Sequence, residues 1–458
     1  NPSWISMDMP EFKEVAANKN YSGIYSQRFI AAMILSEFVW NYDYTMDEEF
    51  YVDVTYPLLY ELGEFYLDFV ELESDGKYHM NHVSVNEYGN DKDGAVELGF
   101  CKYVLDTLIK YRDLVEVPDS KAAEWENVAD NLYEFPTRVY DGMEMYVLAE
   151  EINNSLKGNA LINIYDQPIV LEGMVHPADG LTMDSDSEEL QRAVNYLNYA
   201  KAYYADNGNS STYRGALGNG FVKTFTIMAR LGWVADDLMH WFKNALNYNM
   251  RSSNLTATSN PSVGGVESAG ALETVNNMLV QMTNDGEKDL LRVFPVWPEG
   301  TDAEFTRLRT QGAFLVTSEY DAESKTIPYV EILSEKGSTV HFVSPWGNKN
   351  ISVVDEEGTM IETAHGLTAN TGDLYFTFDT KEGKTYYITE SKDSLTGGPE
   401  SIKLTIERTT LTPGEQITAE AILPEGESED YICWNTSDPL TAMSDRMGRL
   451  WQKPAEAA

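Results

Sequence analysis

The spacing of apolar residues changes once along the chain, near residue 286, and this change separates two kinds of structure. Before it, from about residue 25, apolar side chains recur every three or four positions, as in Leu58, Leu62 and Phe65, which is the period of a helix with one buried face. After it, short runs rich in Val, Ile, Tyr and Phe are separated by turn residues, which is typical of antiparallel strands. The sequence therefore predicts a mainly helical region followed by a β region.

The helical region is predicted to form successive antiparallel helix pairs. The predicted helices, separated in most cases by Gly, Pro or Asn, lie near residues 26–43, 47–71, 95–115, 119–134, 187–205, 217–231, 234–248 and 270–283. The run "FCKYVLDTLI" is apolar nearly all round, which predicts a layered array with helices covered on more than one side. Two non-helical insertions, 74–94 and 136–186, are long enough to indicate functional loops.

The β region is predicted to contain two domains. Runs such as "FLVTSEYD", "PYVEILSE" and "KTYYITE" predict the strands of an antiparallel β-sandwich. The segment "SLTGGPES" is typical of a linker, and a further set of short strands follows it. The predicted domains are a helical domain at 1–285, an antiparallel β domain at 286–395 and a partial β domain at 400–458.

Charge and cysteine content exclude several classes of protein. Lys and Arg number 33 and Asp and Glu number 74, a net charge of −41, so the field of the protein opposes binding to nucleic acids and anionic membranes. No run approaches the roughly 18 apolar residues of a membrane span. The two cysteines, Cys101 and Cys433, exclude a disulfide framework and a Cys-rich zinc site. The chain begins "NPSWISMDMP", without an initiator Met or a signal sequence, and we expect it to be a processed or trimmed piece.

The loop "HMNHVSVNEYGNDKDG" gathers His82, Asn86 and Glu87 between two predicted helices. A glutamate partly buried in a cleft has a raised pKa, which is the state that a general acid needs near neutral pH. The alternative is a solvated polar loop. Because the loop lacks an HExxH or EF-hand spacing, we predict no catalytic metal, and the sequence predicts no cofactor.

Two other loops carry candidate ligand-binding groups. His176 precedes a proline in "EGMVHPADG", and its ring can either hydrogen-bond a sugar hydroxyl or serve as a structural loop histidine. Asn209 and Arg214 lie in "DNGNSSTYRGALGNG", where they can contact a ligand or supply ordinary turn and N-cap chemistry.

A single carboxylate, Glu267, lies in "SVGGVESAG" just before a strongly periodic apolar segment. The N-terminus of a helix stabilises an ionised carboxylate by about 0.3 to 1 kcal/mol. Ionisation is also what a general base requires. Glu267 is therefore either a partner of the helix dipole or a candidate base.

The segment "NNMLVQMTNDGEKDLLRVFPVWPEGTDAEFTRLRTQGAFLVTSEYD" resembles the C-terminal half of glycoside hydrolase family 95, whose members are mostly α-L-fucosidases. "YPLLYELGEFYLDFV" is similar to a helix of that family's (α/α)6 toroid, and "SVNEYG" falls where the family carries its catalytic acid, which implies that role for Glu87. The aspartate base of the family falls on Val266, so the pattern is not matched there, and the resemblance implies the neighbouring Glu267 as its replacement.

The resemblance implies an inverting, exo-acting hydrolysis of a terminal α-linked L-fucose-type sugar. Glu87 would protonate the leaving oxygen and Glu267 would activate a water, with their carboxyl groups roughly 6.5 to 9.5 Å apart. The expected substrate-binding residues are His82, Asn86, His176, Asn209 and Arg214. The alternatives are a catalytically inactive carbohydrate-binding descendant, a six-hairpin glycosidase with another sugar specificity, and a structural surface protein.

The resemblance also implies that part of the toroid lies upstream of Asn1. Six hairpins need twelve helices, and the sequence predicts about eight, so we expect two more hairpins in the same polypeptide, with an Asn-x-Asn pair that positions the base. The segment "LTPGEQITAEAILPEGESEDYICWNTSDP" resembles a bacterial immunoglobulin-like domain that lacks its last strands. Such modules are typical of secreted or cell-surface bacterial proteins, which is the localisation we expect.

Overall fold

The computed structural model describes residues 27–84, 91–140, 142–152, 169–206, 221–249, 266–394, 403–406, 416–422, 442–444 and 449–452. The chain forms two compact units, one made of Asn1–Tyr42, Asp47–Tyr140 and Glu144–Gly180, and the other of Asp43–Met46, Asp141–Met143 and Leu181–Ala458. Helices and several β-sheets are both present. Among the helices built from described residues, none is long and apolar enough to span a bilayer.

The first unit is mainly helical, as predicted. Its helices are α1 (Phe29–Thr45), α2 (Glu48–Phe50), α3 (Tyr56–Phe69), α4 (Ala95–Lys110), α5 (Asp119–Asp130) and α6 (Ile169–Glu172). A five-residue π-helical segment, Tyr51–Thr55, joins α2 to α3, so the predicted helix at 47–71 is nearly continuous. The short strands of this unit are β1 (Glu71–Leu72), β2 (Tyr78–His79), β3 (Lys92–Gly94), β4 (Thr137–Tyr140), β5 (Met143–Tyr146) and β6 (Ala149–Glu151).

One apolar core holds α1, α3, α4 and α5 together. Phe29 of α1 stacks on Phe100 of α4 at 6.1 Å between ring centroids, and Tyr60 of α3 meets Trp125 of α5 edge-on at 6.0 Å. Nearly every side chain in the first half of α4 is buried, which confirms that this helix is covered on more than one side.

The predicted helix at 119–134 ends earlier than expected, at Asp130. The carbonyl of Asn131 accepts a hydrogen bond from Tyr78 N at 2.8 Å, and Tyr133 N donates to the carbonyl of Tyr78 at 2.9 Å. Pairing with β2 therefore competes with the last helical turn, and the prediction was wrong over these residues. The two insertions are also not structureless, because they contain β2 to β6 and α6.

The second unit begins with helices and continues into strands. Its helices are α7 (Ser187–Asp206), α8 (Phe221–Arg230), α9 (Ala235–Asn249) and α10 (Val266–Leu279). The residues predicted as the last turn of α10 are instead the start of β7 (Val280–Asn284), which pairs with β8 (Asp289–Val293). Strand structure therefore begins before residue 286, because pairing with β8 wins over the helical period of this segment.

Two five-stranded sheets follow and share one apolar core. The remaining strands are β9 (Ala303–Thr310), β10 (Phe314–Tyr320), β11 (Val330–Ser334), β12 (Thr339–Val343), β13 (Lys349–Asp355), β14 (Ala364–Leu367), β15 (Leu374–Asp379) and β16 (Lys384–Ser394). The sheet orders are β13-β16-β11-β10-β9 and β14-β15-β12-β8-β7, antiparallel throughout except for β12 beside β8. Buried and partly exposed residues alternate along β11 and β15, as expected for strands with one face in the core. The strands predicted at 314–390 are confirmed.

The described residues after 400 form one four-stranded antiparallel sheet. Its strands are β17 (Lys403–Ile406), β18 (Gln416–Ile422), β19 (Ala442–Ser444) and β20 (Arg449–Gln452), in the order β17-β18-β20-β19. The immunoglobulin-like assignment, the complete toroid and the domain limits stay predictions.

Candidate functional site

Three segments of the first unit meet at the N-terminal end of α4. The strand β3 leads directly into the helix and pairs with β6, and Ala95 N donates to the carbonyl of Leu148 at 2.9 Å. The segment after α6 lies against the first turns of α4 at Val96 and Gly99. The N-terminal N–H groups of α4 therefore lie among the segments that are predicted from the sequence to be functional loops.

The loop expected to carry the general acid is fixed on both sides by backbone pairing. Met80 N donates to Asp93 Oδ1 at 2.8 Å, and Asp93 N donates to the carbonyl of Met80 at 2.9 Å. Val83 and Asp91 exchange two backbone hydrogen bonds, at 3.0 and 2.8 Å. The two ends of segment 85–90 are therefore held together, while Asn86 and Glu87 themselves lie outside the described residues.

His79 joins the beginning of this loop to its end. Nδ1 lies 2.7 Å from Asp93 Oδ2, Nε2 lies 3.0 Å from Asp75 Oδ2, and the ring packs on Tyr133 at 4.4 Å between centroids. Burial lowers the pKa of His79, but the hydrogen bonds to Asp93 and Asp75 outweigh it, so the pKa is raised from its ordinary value. A protonated His79 donates from both nitrogens, which strengthens the contact between the two ends of the loop.

Glu97, in the first turn of α4, is the most strongly perturbed carboxyl of this region. Its side chain is 1% exposed, and burial raises its pKa to about 7, although the nearby Arg28 guanidinium lowers it. Tyr66 Oη of α3 donates to Glu97 Oε1 at 3.3 Å, and the backbone N–H groups of Arg28 and Phe29 also donate to the carboxyl group. Those N–H groups belong to the start of α1, where helical donors have no partner within the helix, so Glu97 caps α1.

Arg28 extends this cluster to the loop. Nη1 donates to the carbonyl of His82 at 2.9 Å, and the guanidinium lies over the ring of Phe69 with 4.6 Å from Cζ to the centroid. His82 has a φ of 57°, a region that residues other than glycine seldom adopt. The predicted substrate-binding residue His82 is thus held through its carbonyl in an uncommon backbone conformation.

The segment after α6 touches α4 because both contact points are glycines. A Cβ built on Gly99 would lie 1.9 Å from the carbonyl oxygen of Gly173, and one built on Gly173 would lie 2.6 Å from that of Val96. Only two residues without side chains allow the backbones to approach this closely. Residues 170–178 are all buried, so this part of the predicted loop is packed into the protein.

His176 lies in that packed segment, before a cis peptide bond to Pro177. Its ring stacks on Trp40 of α1 at 5.5 Å between centroids with planes 19° apart, and the residue is 8% exposed. The contact explains its position structurally. Its role in binding a sugar stays a prediction.

The other predicted site residues are placed only in part. Glu267 lies in the first turn of α10, inside the helix instead of in the turn before it, and its side chain is outside what the structure describes. Asn209 and Arg214 lie outside the described residues. Within the described ranges, no three His, Cys, Asp or Glu side chains are grouped so as to hold a metal ion.

The cluster of Arg28, Tyr66 and Glu97 was not predicted from the sequence. The available signal was a lone carboxylate in "AVELGF", a helical stretch that is otherwise apolar on every side. Since charged side chains are almost never fully buried without a partner, such a position predicts a polar contact. The contacting residues cannot be identified from spacing, because Arg28 and Tyr66 lie on other helices.

Comparison with known proteins finds no protein-family model and no curated protein that matches. Solved structures similar to this chain include a proposed kojibiose phosphorylase from the human microbiome, 13% identical with a TM-score of 0.40, over 68% of this chain and 47% of that chain. They also include Streptomyces avermitilis α-L-rhamnosidase complexed with L-rhamnose, 10% identical with a TM-score of 0.38, over 76% of this chain and 32% of the other. A third is α-L-rhamnosidase from Dictyoglumus thermophilum, 14% identical with a TM-score of 0.35, over 78% of this chain and 39% of that one.

This chain thus spans less than half the length of each of these structures. At such identities and TM-scores, the matches define neither the family of the chain nor its chemistry.

Proposed function

We propose that this chain is part of a glycoside hydrolase that removes a terminal α-linked L-fucose-type sugar with inversion. Glu87 is the proposed general acid and Glu267 the proposed base, with no cofactor or metal. His82, Asn86, His176, Asn209 and Arg214 are the proposed substrate-binding residues. The upstream part of the same polypeptide is proposed to complete the toroid, and the protein is proposed to act outside a bacterial cell.

The observation that carries this proposal is the order of elements across residues 276–321. The resemblance to family 95 implies the end of a helix near "NNMLVQM", then a strand at "LLRVFPVWPEG" and a strand at "RLRTQGAFLV". The structure has α10 ending at Leu279 and β8 at Asp289–Val293, while the last segment is divided between the end of β9 (Ala303–Thr310) and the start of β10 (Phe314–Tyr320). The agreement supports the alignment on which the role of Glu267 depends.

A second observation supports the assignment of Glu87. The residues on either side of segment 85–90 are paired, and His79, a buried histidine whose pKa is raised, contacts Asp93 beside them. Perturbed titratable groups concentrate at functional sites more often than elsewhere. These contacts favour a functional loop over a solvated polar loop as the interpretation of this segment.

The test measures sugar release by the full-length protein, including the upstream sequence, from an aryl α-L-fucoside and from a fucosylated oligosaccharide. Replacing Glu87 by Gln should lower kcat by about 10² to 10⁴, which is the usual contribution of a general acid, and Glu267→Gln should also lower it. The matched control is Glu287→Gln, an exposed glutamate in the turn between β7 and β8. The proposal is wrong if the wild-type protein releases no sugar or if neither substitution slows the release.

A catalytically inactive carbohydrate-binding protein is the second candidate. It is favoured by Val266, which stands at the start of α10 where the resemblance implies an aspartate base. Isothermal titration with a fucosylated oligosaccharide separates the two, because a descendant that only binds gives a measurable affinity without any release of free sugar.

A further inference from the structure

We propose that Arg28 and Glu97 are positioning residues which fix segment 80–84, the described residues that lead into the loop proposed to carry the general acid. The inference rests on the proposed function for its catalytic meaning. Its structural part is independent of that function. Neither residue is proposed to touch the substrate.

Arg28 lies between two elements of the first unit. Its backbone N–H belongs to the start of α1 and contacts Glu97 of α4, while its side chain donates to the carbonyl of His82. A single residue therefore connects two helices to the segment that precedes Ser84. Because Arg28 packs on Phe69 as well, its guanidinium is held from a second direction.

The contact between Arg28 and the His82 carbonyl supports an uncommon backbone conformation. His82 has a positive φ, and such conformations cost roughly 1 to 3 kcal/mol unless the surroundings hold them. The Arg28 hydrogen bond acts on the His82 carbonyl itself, and the pairing of Met80 with Asp93 and of Val83 with Asp91 holds the residues around it. Replacing Arg28 therefore removes a contact made directly to His82.

Glu97 is a buried carboxyl group whose hydrogen bonds are incomplete. Its Oε2 has no hydrogen-bond partner among the described residues, although the side chain is almost fully buried. A buried carboxyl that is only partly satisfied is costly when ionised. Glu97 makes structural sense as the acceptor of the first N–H groups of α1, including that of Arg28, and not as an element of the apolar core.

The experiment is hydrogen–deuterium exchange of the full-length protein, read at the amides of Met80 and Val83, with sugar release measured in parallel. Arg28→Met should speed exchange at both amides by about tenfold to a hundredfold, which corresponds to the loss of a hydrogen bond from a charged donor. Arg28→Lys, which keeps the charge but not the planar fork, should show a smaller increase. In the release assay, Arg28→Met should lower kcat and leave KM nearly unchanged.

The control is Thr107→Val, which removes a buried hydroxyl bonded within α4 to the carbonyl of Tyr103 at 2.7 Å. It should leave exchange at Met80 and Val83 unchanged. Exchange in Arg28→Met and Arg28→Lys equal to that of the wild type would overturn the proposal, and so would an equal increase throughout α1 and α4, which indicates general destabilisation. If the exchange result holds but the wild type releases no sugar, the positioning role stands and the proposed function fails.

Discussion

Replacing Glu97 by Gln should remove a pH dependence from the stability of the first unit. Glutamine has nearly the same shape and keeps an acceptor for Tyr66 and for the first N–H groups of α1. It imitates the protonated form of the wild-type side chain. The substitution therefore isolates the cost of ionising a carboxyl group that is 1% exposed.

The size of the effect follows from the pKa of Glu97. Burial raises it from 4.5 to about 7, and each pKa unit corresponds to about 1.4 kcal/mol, so full ionisation should cost about 3 kcal/mol of unfolding free energy. The pKa of Glu97 is higher in the folded protein than in the unfolded protein. The folded protein therefore has its full stability below about pH 4.5, where Glu97 is neutral, and loses about 3 kcal/mol as the pH rises through about 7. The wild type should thus weaken relative to Glu97→Gln between about pH 5 and pH 8.

The assay is hydrogen exchange of the slowest amides of α4, converted to opening free energies after correction for the intrinsic rate at each pH, since these amides belong to the helix that carries Glu97. The difference between Glu97→Gln and wild type should grow by about 3 kcal/mol across that pH range. Parallel curves for the two proteins would show that the buried carboxyl does not titrate as described, and the reasoning would then be refuted.

Two further substitutions, each with a control, test buried contacts in the two units. Gly99→Ala should lower the unfolding free energy by about 3 kcal/mol or more, because its Cβ would overlap a backbone carbonyl, whereas Gly300→Ala, at a position with open space, should change the melting temperature little. In the second unit, Asp184→Asn should cost about 3 to 5 kcal/mol, because Arg292 would stay buried without its main partner. Glu299→Gln, which breaks an exposed ion pair, should have no measurable effect in the same thermal scans.

Periodicity predicted the helices well where packing and period agree. The prediction for α4 began at Ala95, where the helix begins, and ended a few residues beyond Lys110, where the helix ends. The prediction succeeded because the apolar residues of this segment recur at helical spacing on several faces. The predicted end of α10, at residue 283, was wrong because of strand pairing. The residues from Val280 onward continue the helical period, but they pair with β8 instead, and the partner strand cannot be identified from local spacing.

The partners of the buried charged side chains could not be predicted from the sequence. The segment containing Asp184, "TMDSDSEE", is typical of a solvated acidic run, yet Asp184 is fully buried and its carboxylate binds Arg292, which lies 108 residues further along the chain. Glu97 likewise accepts a hydrogen bond from the backbone N–H of Arg28, 69 residues before it (97 − 28 = 69). Contacts of this kind are made by tertiary packing, so composition and spacing indicate only that a buried charge needs a partner.

The loop 79–94 was predicted in part from the sequence. Its residue types predicted a functional loop, and the structure adds the pairing of its flanks and the histidine that joins them. The sequence alone left open whether the loop is solvated or held. The contacts of His79 and Asp93 answer that question for the flanking residues.

The central claim, an inverting glycosidase with Glu87 as acid and Glu267 as base, is tested most directly by the anomeric form of the first sugar released. Proton NMR of the full-length protein acting on an α-L-fucoside should show β-L-fucose first, with the α-anomer appearing later by mutarotation. Initial release of the α-anomer would mean retention, which needs carboxyl groups only about 5 to 5.5 Å apart and would contradict the assigned roles. The complete absence of free fucose would contradict the enzymatic claim itself.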